Sequence, residues 1–201
     1  MDNQTYLNQI SNNSPKSQKS NFFTSKIFIF IAIAVGLFIL IFIASKIIDN
    51  QSATTKNKTV ALSLHVDNLI STISTYQPKL KSSELRGYSA SLSSILSETS
   101  TTLSNYLTDH YELKESKYEK STVESETTLS EELDSELFSA KINGLLDRTY
   151  AHSMAYEISI ITARESEIYD SIKDSNTKSL IESSYNSLTN LYENFNNFSE
   201  S

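Results

Sequence analysis

Three histidines, His65, His110 and His152, have the widest chemical reach of any side chains in this sequence. An imidazole can ligate a metal or exchange a proton near neutral pH. In helical bundles the usual dinuclear iron or manganese site takes Glu-x-x-His from each of two helices, because residues three apart share a face. Here Leu62, Leu107 and Thr149 stand three residues ahead of the histidines, so that pattern is absent. Each His therefore reads as an isolated bundle side chain, with His152 able to bond locally to Tyr156 one turn later. Serine is abundant, yet no Gly-x-Ser-x-Gly turn occurs. The three glycines are too dispersed to cradle phosphate, no Asp-rich calcium loop is present, and the lack of Cys removes thiol and thiolate-metal chemistry. The acidic run Glu165, Glu167, Asp170, Asp174 reads as a solvated helix face with local pairs Arg164–Glu167 and Asp174–Lys178. No catalytic, cofactor-binding or metal residue is assigned, no cofactor is expected, and the chain is read as a non-enzyme.

The elements that would position such residues are helical. Three Gly and two Pro in 201 residues leave too few turn formers for a many-stranded sheet. Four amphipathic segments follow residue 59. Val60–Gln77 spaces Leu62, Val66, Leu69, Ile70 and Ile73 by threes and fours and stops at Pro78. Ser82-Ser83-Glu84 offers a cap, after which Leu85, Tyr88, Leu92, Ile95, Leu96, Thr99, Leu103, Tyr106 and Leu107 form a stripe. Glu115–Glu136 reads as a solvated connection or frayed helix start. A third helix from Leu133 to about Ile172 would carry Leu137, Phe138, Ile142, Leu145, Leu146, Met154, Ile158 and Ile161. A turn at Lys173–Asn176, capped by Ser175 or Asn176, leads to a last helix through Leu180, Ile181, Leu188, Leu191 and Phe195. Single apolar stripes are hidden by mutual packing, so the expectation is an up-and-down four-helix bundle over residues 60–200.

Ahead of it, Ile27–Ala44 is eighteen consecutive apolar residues, extended by Ser45-Lys46-Ile47-Ile48. At about 1.5 Å per residue this spans a hydrocarbon core of roughly 30 Å. Residues 1–21 read as a disordered tail, 22–48 as a single transmembrane anchor and 49–59 as a linker. No small-x-small cleavage site comes after it, so the anchor is expected to be retained. Lys16, Lys19 and Lys26 before the span balance Lys46, Lys56 and Lys58 after it. The C-terminal domain is placed outside the cytoplasmic membrane, because N-terminal anchors tend to export the chain on their C-terminal side. Four of the 17 Lys/Arg and one of the 24 Asp/Glu precede Asp49, leaving 13 against 23. A domain this acidic repels phosphate backbones, which excludes nucleic acid. The expected partners are the lipid bilayer, through Ile27–Ile48, and a protein partner or homo-oligomer.

The segment Ala140–Met154 (AKINGLLDRTYAHSM) resembles a Gly-x-x-(Phe/Leu)-Asp-x-x-Tyr signature, Gly144 standing two residues before Leu146, one closer than the signature has it, with Asp147 and Tyr150 after it. That signature marks the third helix of a ferritin-like bundle family of bacterial envelope proteins, catalogued as domain of unknown function 4142. Ser83–Leu92 is similar to the family's second helix, and the resemblance runs over residues 60–198. It implies a ferritin-like bundle and, as the alternative function, a metal-binding or stress-related domain. The family's Asp-His pair and its later His fall here on Ile95-Leu96 and Ile158, which cannot ligate. Asp147 and Tyr150 are expected to tie one helix to another by hydrogen bonds.

Overall fold

The computed structural model describes residues 55–199. The expected tail and anchor, 1–48, and most of the linker lie outside the described residues. The described residues form five α-helices: α1 (Thr55–Tyr76), α2 (Ser83–Tyr111), α3 (Lys120–Ile142), α4 (Leu146–Tyr169) and α5 (Ser175–Asn196). Single 3-10 turns at Gln77–Lys79 and Glu115–Lys117 punctuate the connections. There is no strand among the described residues, so the all-α expectation holds. None of these helices is long and apolar enough to cross a membrane.

Local chemistry explains most boundaries. Pro78 sits in the turn that ends α1. Ser82 caps α2, its hydroxyl accepting from Leu85 N at 3.2 Å, and Glu84 lies in the first turn against the helix dipole. At α5 the cap is Asp174, not Ser175 or Asn176, and its carboxylate accepts from Thr177 N at 2.6 Å. α1 begins at Thr55, inside the stretch read as linker, and Thr59 and Val60 are already buried.

The third helix differs most from expectation. Two helices, α3 and α4, replace one, and most of the expected connection Glu115–Glu136 is helical from Lys120 onward. The break falls at Asn143–Leu145, where Gly144 takes φ +73°, a left-handed conformation in which an L side chain is strained. Leu145 N then bonds back to Ala140 O at 2.9 Å, closing the end of α3.

The helices that pack on one another are α1 with α2, α2 with α5, α5 with α4, and α4 with α1, a closed ring of four. α3 lies outside the ring, against α1 and α4. Ring helices fill the core with Leu62, Val66, Ile73, Leu92, Leu96, Tyr150, Met154, Ile158, Leu188 and Phe195. From α3 only Glu126, Leu137 and Ala140 are buried. Each fully buried Leu or Ile contributes about 1.5–3 kcal/mol, so the ring carries nearly all the hydrophobic stabilisation. Phe138, Ile142 and Leu145, expected on a buried stripe, are 54%, 68% and 52% exposed, because the break at Gly144 leaves them outside the ring.

Candidate functional site

The polar centre of the domain is where α3 meets the ring. His65 on α1 is 6% exposed, yet both of its ring nitrogens face carboxylates. Glu126 Oε2 of α3 accepts from Nδ1 at 3.0 Å, and Glu157 Oε2 of α4 lies 2.8 Å from Nε2, bent away from a good hydrogen-bond direction. The second Glu126 oxygen accepts from Arg164 Nη1 at 2.8 Å, and the same nitrogen donates to the Ala61 carbonyl at 3.2 Å. Asn68 Nδ2 donates to the Glu126 backbone carbonyl at 3.1 Å. Carboxylates facing both nitrogens favour the doubly protonated ring, so two cations meet two anions and the buried cluster is neutral.

Proton affinities follow from that arrangement. Burial alone would lower the His65 pKa, but the hydrogen bond that Nδ1 donates to Glu126 and the nearby Glu157 carboxylate outweigh it and hold the pKa above its ordinary value. Burial opposes ionisation of Glu126 too, and there His65 and Arg164 win and hold its pKa below the usual carboxylate value.

The chemistry open to this cluster is limited by its surroundings. The void beside it, lined by His65, Asn68, Thr72, Glu126 and Glu157 among others, measures ≈ 10 Å³. That matches roughly one water, about 10–15 Å³, and admits no substrate. Donors for a metal must converge on one point, whereas Glu126 and Glu157 sit on opposite edges of one imidazole ring. Among the described residues no three His, Asp or Glu side chains are placed to hold a metal ion. The cluster is suited to fastening three helices and to changing charge with pH.

The other histidines stay apart. His110 is exposed at the end of α2 with its ring edge-on to Tyr106 at 4.6 Å, and His152 is exposed on α4. The acidic run also departs from a solvated face. Arg164 turns to Glu126 instead of Glu167, which pairs with Lys58 at 3.4 Å. Glu165 is 0% exposed between α2 and α5, and neither carboxyl oxygen has a hydrogen-bond partner. Burial pushes its pKa up to about 7, and the Ser184 hydroxyl is engaged by Thr99 in a 2.7 Å hydrogen bond.

Asp147 and Tyr150 make the ties expected of them. The Asp147 carboxylate accepts from Lys81 N at 3.0 and 3.1 Å and from Ser82 N at 2.7 Å. Arg86 Nη1 satisfies the carbonyls of the same turn, at 2.6 Å from Leu80 O and 3.0 Å from Lys81 O. Tyr150 Oη shares a 2.5 Å hydrogen bond with Ser89 Oγ on α2, while burial pushes the phenol to about 12.

Sequence reasoning overlooked Glu126, Glu157 and Arg164 as partners of His65. One signal was present: His65 and Glu157 sit beside Leu62–Val66 and Met154–Ile158, where an apolar stripe predicts no charge. Comparison with known proteins finds no matching family model, no matching curated protein and no matching solved structure, so the ferritin-like resemblance has only its short motif behind it.

Proposed function

We propose that this protein is a single-pass membrane protein whose helical domain works by binding a protein partner and not by catalysis. The observation that carries the reading is the pairing of a polar centre closed to solutes with large apolar side chains left outside: Phe138, Ile142 and Leu145. Exposed apolar groups grouped at one end of a domain mark interaction surfaces more often than chance surface residues do. The run Ile27–Ile48 supplies the tether, and the domain is placed on the outer face of the cytoplasmic membrane. Protease added to intact cells should degrade residues 55–199 while sparing a cytoplasmic control, and the chain should resist alkaline extraction from membranes. A protected domain would overturn the placement, and an extractable chain would overturn the anchor.

The competing reading is a ferritin-like metal or stress domain. It would draw on His65, Glu126 and Glu157, where two carboxylates meet one imidazole, and the opposed directions of those carboxylates count against it. One equivalent of iron or manganese on the purified full chain, lost in Glu126→Gln, would favour it.

A further inference from the structure

We infer that the outward stripe of α3, with the groove between α3 and α1, is a docking site for a basic polypeptide segment bearing apolar side chains. The inference rests on the binding role proposed above and specifies its partner. Glu131, Ser135, Phe138 and Ile142 follow one another at spacings of four, three and four, and Asp134 lies three after Glu131 and four before Phe138, so they share one helical face. That face points away from Glu126, Leu137 and Ala140, which anchor α3 to the ring. A purely solvated face would be polar throughout, yet this one presents Phe138 and Ile142 one turn apart, with Leu145 just beyond. Beside it runs an open groove of ≈ 490 Å³ between α1 and α3, lined by Thr75 and Ser135 hydroxyls, Glu131, Asp134 and the Phe138 ring. The two helices that flank it are tied together by Tyr76 Oη, which donates to the Asp134 carbonyl at 3.0 Å. Neither the Glu131 nor the Asp134 carboxylate forms an ion pair among the described residues.

Charge selects the occupant. α3 carries six carboxylates against two lysines, and all but Glu126 of the six are exposed. A second copy docking through the same stripe would set acid against acid across a two-fold axis, which like-charge repulsion disfavours. A basic segment gains the unpaired carboxylates as partners and covers Phe138 and Ile142 with its own apolar groups. Aromatic anchors in such patches commonly dominate the binding energy.

The test uses the full chain in detergent micelles, with empty micelles as blank, and a fluorescent amphipathic peptide of Lys and Leu as probe. A matched peptide with Glu in place of Lys serves as counter-probe. Saturable one-to-one binding of the basic peptide is expected, weakened by salt. Phe138→Ser and the pair Glu131→Gln with Asp134→Asn should each weaken it about tenfold or more. The pair Glu98→Gln with Asp109→Asn, which removes the same charge from exposed positions on α2, should leave it unchanged. Equal weakening by the α2 pair, indifference to Phe138→Ser, or equal binding of the acidic peptide would overturn the inference. So would a stable dimer of the chain that Phe138→Ser dissociates. Binding in micelles does not depend on which side of a membrane the domain faces, so failure here and failure of the protease test are separate results.

Discussion

Arg164 and Glu165 are neighbours on α4, yet they project into two polar regions built on opposite principles. Toward α1 and α3, Arg164 joins Glu126, His65 and Glu157 in a cluster whose charges cancel. Toward α2 and α5, Glu165 is buried without a hydrogen bond to either oxygen. The first region resists losing any one member, because the others would remain as buried unpaired charges. The second is strained by its own ionisation, because only the neutral carboxyl suits its surroundings. Burial has opposite consequences depending on whether a counter-charge came with the group. The paired region is also what holds the least buried helix, α3, to the ring.

The largest break of this contrast is Glu126→Ala, which leaves His65 and Arg164 without their shared anion. Denaturant unfolding should show a loss of about 3–5 kcal/mol. Hydrogen exchange should show the loss first in α3, which has little apolar burial to hold it.

Glu165→Gln should act in the other direction. A carboxyl whose folded pKa is raised to about 7 stabilises the fold fully only below its unfolded value and loses that contribution as pH rises toward the folded value. Relative to low pH, the ionised group at pH 8 costs about 3 kcal/mol. The Gln variant should therefore gain on the wild type as pH climbs from 5 to 8, and parallel stability curves would refute the strain assigned to Glu165. The opposite region contributes its own window. Stability from His65 is complete below its unfolded pKa and is lost as pH rises through the raised folded one. Stability from Glu126 is present above its unfolded pKa and is lost as pH falls through the lowered one. The wild type should thus be more stable near pH 6 than at pH 8.

A smaller effect is expected away from both regions. Asp147→Ala frees the amides of Lys81 and Ser82 at the start of α2, and charge-assisted bonds of this kind are worth about 1.5–3 kcal/mol. The melting temperature of the full chain should fall, and an unchanged melt would show the turn to be held by Arg86 alone. Ser184→Ala should be the mildest change, removing one neutral hydrogen bond to Thr99 worth about 0.5–1.5 kcal/mol.

Helices α1, α2 and α5 were legible because their stripes repeat without interruption and their ends carry Pro78, Ser82 and the turn Lys173–Asn176, within which the cap is Asp174 and not the expected Ser175 or Asn176. α3 was not, since its acidic, serine-rich composition resembles a solvated connection and its buried face is held by a carboxylate where an apolar stripe was sought. The break at Gly144 was legible as a glycine but not as a helix end, because apolar residues continue on both sides of it. Asp147 and Tyr150 were singled out by a motif, and their partners came only with the fold. The His65 cluster was hidden for a related reason: Glu126, Glu157 and Arg164 are remote from it in the chain.

By itself the sequence determined the helical class, the apolar stripes, the absence of thiol chemistry, the acidic balance and the apolar run Ile27–Ala44, all properties of residue type and short-range spacing. Tertiary structure alone decided that four helices close a ring and a fifth stays outside, that His65 lies between two carboxylates, and that Phe138 and Ile142 face out. Helix periodicity states which residues share a face, but not which face of another helix they meet. Partners 61 residues apart, as His65 and Glu126 are, come together only when the core packs.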